Sequence, residues 1–242
     1  MSGQTKRLQA TKRTRRTRHP RLRYAGKHGD LTAWLVDGSY VRRNIDEEFS
    51  NFGHHYSYSE IPKGELWLDS ATGPEEQKFY LGHMRVEYHL RARGVDEETA
   101  RRRANAHERR QRARAGDLAK ARRGKLLPQA AAFHLRLWKK LASGVEVWFV
   151  KGRLVRSVLD VEFTEGGHEH VYEFVPHGEV WIDDDLHQDE QGYVLWHELH
   201  ERSLMSKGQD YDSAHEECSR LERYYRRHPS ELHQALMDEG WC

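Results

Sequence analysis

The feature that most limits the fold is that the chain repeats itself: residues 34–109 lie over residues 148–223 at a constant offset of 114, with no gap. The register pairs Trp34 with Trp148, Gly38 with Gly152, Arg42 with Arg156, Asp46 with Asp160 and Phe49 with Phe163. It continues through Gly53-His54 with Gly167-His168, Tyr58 with Tyr172, Pro62 with Pro176, and Gly64-Glu65-x-Trp67-x-Asp69 with Gly178-Glu179-x-Trp181-x-Asp183. About a third of the aligned positions are identical, which marks one supersecondary unit written in tandem. The fold must be one that a unit this small can close around and that two copies can share.

Each copy carries its signals in the same order. Apolar runs flank a glycine from Trp34 to Val41 across Asp37-Gly38 and from Trp148 to Val155 across Lys151-Gly152, which predicts a β-hairpin in each copy. His168-Glu169-His170-Val171-Tyr172-Glu173-Phe174 alternates as a strand does, a Pro-x-Gly turn follows, and Glu179-Val180-Trp181-Ile182 reads as a short strand ending in acids. Asp189 or Glu190 then opens a helical stretch to about Met205, Gly208 supplies a stop, and Asp212 starts a second helix to about Arg227. The predicted fold class is α+β, a tandem duplication of a small module in which an antiparallel sheet is followed by two helices. The first module is read at 31–109, a basic helical linker at 110–143 and the second module at 144–242.

With 37% hydrophobic and 32% charged residues, the chain suits two small, highly charged units better than one large core. Its net charge of +2 conceals a segregation. Residues 1–27 hold ten Lys/Arg and no acid, and residues 101–125 hold eleven against Glu108 and Asp117, leaving about −17 on the rest. Residues 1–30 lack an apolar period and are predicted to be a basic arm, disordered until a partner orders it. The stretch 101–125 is rich in Ala and Arg, with no Pro before Pro128, and is predicted to continue the second helix of copy one as a solvated linker. Both are expected to meet nucleic acid through its phosphates, the arm with Lys6, Arg7, Lys12, Arg13, Arg15, Arg16, Arg18, Arg21 and Arg23. A solubilising tail is the other reading of the arm. No apolar stretch reaches the length of a membrane span and none follows the basic N-terminus, so neither a membrane anchor nor a secretory signal is expected, and a cytoplasmic or virion-associated protein is. Cys218 and Cys242 make neither a disulfide framework nor a thiolate zinc site.

The sharpest local signal is Leu195-Trp196-His197-Glu198-Leu199-His200-Glu201-Arg202, in the first predicted helix of copy two, where His197 and Glu201 fall one turn apart on one face. His197-Glu198 at the start of that run resembles the zincin metallopeptidases, whose pattern is His-Glu-x-x-His with both histidines on zinc and the Glu as general base. The resemblance covers a handful of residues, and the fifth position is Glu201 instead of His. His215 lies fourteen residues past Glu201, where a helical hairpin returns it toward the first helix. The ligand set then becomes His197, Glu201 and His215, with Glu198 taking a proton from the attacking water. His200, three residues from His197, is an alternative ligand to Glu201. Glu222, seven residues after His215, is placed to orient a ligand histidine from outside.

Copy one keeps His83 and Glu87 but has Met84 for Glu198, Val86 for His200 and Arg101 for His215. It therefore lacks the base and the third ligand, with Arg101 a candidate to fill the ion's place by its charge. Two readings stay open: a decayed duplicate of an enzyme, or a His–Glu hydrogen bond that ties helix to sheet in both copies. Asp69, Asp183, Glu65 and Glu179 read as helix caps or as partners of Arg42 and Arg156. His168 and His170 share a strand face, but Tyr56 stands opposite His170 in copy one. Trp148, Phe163, Tyr172 and Trp181 read as core. The expected function is a zinc-dependent hydrolase, metallopeptidase-like, acting on peptide or protein with one active and one decayed module. The alternative is a non-enzymatic nucleic-acid-associated structural protein, a virion or nucleoid component; a compact doubled domain with arms is a form that phage-encoded proteins take.

Overall fold

The computed structural model describes residues 19–116 and 130–241. Copy one contains β1 (Arg21–His28), β2 (Leu31–Val36), α1 (Gly38–Asn44), β3 (Phe52–His54), β4 (Glu65–Asp69), α2 (Pro74–Ala92) and α3 (Glu97–Ala115). After a single 3-10 turn at Ala130–Ala132, copy two repeats this with β5 (His134–Lys140), β6 (Glu146–Val150), α4 (Gly152–Val158), β7 (Gly166–His168), β8 (Glu179–Asp183), α5 (Gln188–Ser206) and α6 (Tyr211–Arg227), and adds α7 (Pro229–Asp238). The strand order β1-β2-β4-β3 recurs as β5-β6-β8-β7. The α+β class, the duplication and the order of sheet before helices match the sequence reading. The sheets themselves are mixed: β1 and β3 pair antiparallel with β2 and β4, whereas β2 runs parallel to β4 because α1 and β3 intervene between them.

The hairpins expected at Asp37-Gly38 and Lys151-Gly152 are strand-to-helix turns instead. Asp37 Oδ1 accepts the Tyr40 backbone N–H at 3.0 Å, which caps α1. Tight hairpin turns need positive φ at glycine, and neither Gly38 nor Gly152 has it. Their requirement is steric, since a Cβ would fall 1.8 Å from Asp69 Oδ2 and 2.1 Å from Asp183 Oδ1. The actual hairpins lie upstream, where Gly29 and Gly144 have φ of 72° and 89°. Arg21 and Arg23, assigned above to a disordered arm, are thus residues of β1, and Arg21 pairs with Glu65 at 2.6 Å. Lys6, Arg7, Lys12, Arg13, Arg15, Arg16 and Arg18, and linker residues 117–129, lie outside the described residues.

The remainder of the expected linker is divided between the modules. Residues 110–115 finish α3, which stops at Gly116 with φ of 89°, and residues 134–140 form β5. The structural repeat is longer than the sequence repeat: Tyr24 opposite Trp34 and Leu137 opposite Trp148 hold the same place, but at an offset of 113. One extra residue in the second hairpin loop shifts the register. The alternating run 168–174 is not a strand either; β7 ends at His168, whose carbonyl accepts the N–H groups of Val171 and Tyr172 at 3.0 Å each.

Each sheet is covered on both faces, as the period of two dictates. Leu31, Ala33, Leu35, Leu66 and Leu68 pack on Tyr80, Met84 and Tyr88 of α2. On the other face Val36 and Trp67 pack with Val41, Phe49 and Ile61. The copies then dock by exchanging arginines. Arg42 Nε donates to Glu190 Oε2 at 2.7 Å, and its counterpart Arg156 Nε donates to Glu76 Oε2 at 2.6 Å. Each also pairs with the acid at the end of its own sheet, Arg42 with Asp69 at 3.0 Å and Arg156 with Asp183. Behind them Arg112 holds Glu76 and Glu108, and Arg226 holds Glu190 and Glu222. Arg112, placed above on a solvated helix, is fully buried. Buried charges need such partners, and these join the modules. Among the described residues no helix is long and apolar enough to cross a membrane.

Candidate metal centre

Helix α5 sets His197 and Glu201 one turn apart, and α6, packing back after Gly208, brings His215 to them. His197 Nε2 lies 3.4 Å from Glu201 Oε2 and 3.2 Å from His215 Nδ1, and His215 Nδ1 lies 2.8 Å from Glu201 Oε2. Atoms at zinc–ligand distances in a tetrahedral shell stand about 3.3 Å apart, so this triangle fits the ion. Among the described residues, three ligand-type side chains converge in two groups, His197/Glu201/His215 and His168/Glu198/Glu201, both in copy two.

The outward atoms of the first group are each held from behind. His197 Nδ1 is 2.8 Å from Glu222 Oε2, His215 Nε2 is 3.3 Å from Glu48 Oε2, and His168 Nε2 is 3.1 Å from Glu201 Oε1. Carboxylates behind ligand histidines fix the tautomer and leave the inward lone pair free. His168 is different: its Nδ1 accepts the His170 backbone N–H at 3.2 Å, so the proton of the neutral ring sits on Nε2 and is donated to Glu201. It orients Glu201 Oε2 into the triangle and does not offer a lone pair of its own. In this hydrogen-bonding arrangement the second group offers carboxylate oxygens from Glu198 and Glu201 but no His168 lone pair.

The electrostatics are those of a tightly hydrogen-bonded acid–histidine cluster, and the copy-one pair shows the same pattern, with His83 raised to about 9 and Glu87 held at about 2. Burial works against the charged forms, yet hydrogen bonds from His168, His197 and His215 outweigh it and hold Glu201 well below the usual carboxylate range. Burial is likewise outweighed at His197 by Glu201 and Glu222, which raise it well above an ordinary histidine. Hydrogen bonds to Glu201 and then Glu48 raise His215 to about 9. Glu222, despite burial, is held at about 2 by Arg226 and His197. A divalent cation bound here would have to displace protons from His197 and His215, so its binding would release them.

Glu198 lines a cavity of about 350 Å³ with Glu48, Tyr172, His197, Tyr211 and His215. Loss of water pushes its carboxyl up to about 7, against the pull of His168 and His197. It fits because residue 166 is glycine; a Cβ there would stand 3.0 Å from both Glu198 Cγ and Oε1. In copy one Phe52, stacked on Tyr80 with centroids 4.5 Å apart, and Met84 stand in the positions of Gly166 and Glu198. Phe52 and Met84 line a copy-one cavity of about 510 Å³ together with His54, His83 and Arg101, so at these positions the copies differ in what lines equivalent cavities, a carboxylate in one and apolar side chains in the other.

Two expected residues are not brought to the cluster. His200 turns to Glu239, with Nδ1 to Oε1 at 2.6 Å, and stacks on Trp196. Arg101 does not take the ion's place in copy one but reaches Glu162 of copy two at 3.6 Å. His83 there keeps Glu108 at 2.9 Å and Glu87 at 3.3 Å. Asp69 and Asp183 pair with Arg42 and Arg156, while Glu65 and Glu179 accept the indole N–H of Trp67 and Trp181 at 2.9 and 2.7 Å. Sequence reasoning missed the parts played by His168, Glu48, Tyr211 and Glu165. Glu165 has φ of 62° in a turn closed by Gly166 N–H to Thr164 O at 2.6 Å, and burial raises its carboxyl to about 7. Only His168 and Glu48 carried a signal, as repeats of His54 and Glu162.

Comparison with known protein families, curated proteins and solved structures gives no match for this chain.

Proposed function

We propose that copy two is a zinc-dependent hydrolase of the peptidase type and copy one its decayed counterpart. The observation that carries this reading is the convergence of His197 Nε2, Glu201 Oε2 and His215 Nδ1 within 2.8–3.4 Å, each backed by its own partner, beside a cavity that holds Glu198. A bound zinc ion would supply Lewis-acid polarisation of the scissile carbonyl. Glu198, whose carboxyl pKa is raised by loss of water, is placed in the cavity to take a proton from the attacking water and return it to the leaving amine. Tyr211 stacks on His215 in the same cavity and keeps its phenolic proton up to about 12, which makes it a donor to developing negative charge. Glu198→Gln tests the reading: turnover of a broad peptide and protein library should fall by roughly a hundredfold or more with zinc content unchanged. No hydrolysis by the wild type, or equal rates in the two proteins, refutes it.

A second reading, a nucleic-acid-associated structural protein of a virion or nucleoid, is favoured by one observation. Arg103, Arg110 and Arg114 are exposed in a single row of α3, with His107 between them and no acid in the row. Arginine rows of this kind suit phosphate backbones. If the row binds nucleic acid, the triple Gln variant should flatten the salt dependence of binding by about 0.9 in log–log slope per lost phosphate contact. An unchanged slope removes the row as the contact.

A further inference from the structure

Glu48 belongs to copy one, in the segment between α1 and β3, yet its Oε2 is 3.3 Å from His215 Nε2 in copy two. Adjacent Glu47 pairs with Arg223, and Phe49 and Ser50 continue the wall of the copy-two cavity. The exchange is reciprocal. Glu162, the counterpart of Glu48, faces Arg101, the counterpart of His215, at 3.6 Å, and Asp160 reaches Arg109 at 3.7 Å. The contact is thus built into how the copies dock, through α1 against α6 and α4 against α3.

A neutral imidazole has one N–H, and the acceptor it faces decides which nitrogen carries it. Around His215, Glu201 lies on the Nδ1 side and Tyr211 stacks on the ring with centroids 5.3 Å apart, which leaves Glu48 as the carboxylate facing Nε2. We propose that Glu48 is a positioning residue for the copy-two metal site, so that the site is composite and copy one supplies an orienting carboxylate and one wall. This rests on the metal-site reading above. The copy without a base thereby holds the Nδ1 lone pair of His215 toward the ion. Outer partners of ligand histidines are worth 10- to 100-fold in metal affinity. With side-chain exposures of 34% for His215 and 51% for Glu48, solvent competes for this bond, and the effect belongs at the lower end, about tenfold.

The test is zinc affinity by chelator competition on the full chain, comparing wild type, Glu48→Ala and Glu48→Gln, with nitrogen-15 spectra of the zinc-loaded histidines. The Ala variant should bind about tenfold more weakly, and the Nε2–H resonance of His215 should shift and exchange faster with solvent as its acceptor is lost. The Gln variant keeps an oxygen acceptor and should recover most of the affinity. Circular dichroism reports that both remain folded, as expected for a half-exposed side chain. Equal affinity and an unchanged His215 signature in Glu48→Ala overturn the cross-module role while leaving the metal site standing. Absence of zinc binding by the wild type overturns the metal site and this role together.

Discussion

Arg42→Met probes the joint between the copies. Arg42 is 2% exposed, and its guanidinium holds Glu190 at 2.7 Å, Asp69 at 3.0 Å and Glu165 at 3.3 Å, while also donating to the carbonyls of Phe49 and Ser50 at 3.1 and 2.9 Å. Its removal leaves Glu190 with Arg226, and Asp69 and Glu165 without their arginine. Breaking a buried ion pair from one side costs about 3–5 kcal/mol. That is a large share of the ~5–15 kcal/mol that keeps a domain folded. Urea denaturation at pH 7 should therefore show a loss in that range, with both modules affected because Arg42 reaches across. Adding Glu190→Gln should recover part of the loss, with a coupling of about 0.5–3 kcal/mol in the double-mutant cycle. A loss below about 1 kcal/mol, or no coupling between positions 42 and 190, would refute the crossed-arginine joint.

Other consequences follow from single side chains. Gly166→Ala should displace Glu198, because the new Cβ meets its Cγ and Oε1 at 3.0 Å and Trp181 O at 3.1 Å; peptide hydrolysis should fall more steeply than the ~1–3 kcal/mol lost in denaturation, and unchanged turnover contradicts the placement of the base. In the zinc-free protein, Glu222 and Glu87 are both depressed to about 2 from 4.5, so their contribution is whole above pH 4.5 and disappears as pH falls through 2. His215, raised to about 9 from 6.5, contributes fully below pH 6.5 and loses its share as pH rises through 9. Denaturation of the zinc-free protein should show a stability maximum between those limits. Zinc affinity should instead rise between pH 6 and 8 as histidine protons become easier to displace, and a flat profile speaks against histidine ligation.

The sequence carried the duplication because Trp, Gly, Arg and Asp positions recur at one offset, and it carried the helical hairpin because Gly208 and the acids around it punctuate a clear period. It misled at Asp37-Gly38, where the dipeptide has the composition of a hairpin turn but serves as a cap beside Asp69. That distinction depends on a contact 31 residues away, between Gly38 and Asp69. The first strand of each copy escaped the alignment because one loop is a residue longer. At the site, His197, Glu198, Glu201, His215 and Glu222 were legible because helical spacing places them. Glu48 and His168 were not, since their positions depend on how α5 lies on the sheet and how one copy docks on the other. Arg42 and Arg156 were recognised as repeats, but nothing local says that each reaches for the other copy's glutamate.

Whether copy two alone holds a metal ion through His197 decides between an active module with a decayed partner and a pair of scaffolds. Elemental analysis of purified protein after zinc loading and dialysis, for wild type, His197→Ala and His83→Ala, measures this directly. About one zinc per chain is expected for wild type and for His83→Ala, and none for His197→Ala, since catalytic zinc needs three such ligands. Equal zinc content in His197→Ala and His83→Ala, or none in wild type, would contradict it.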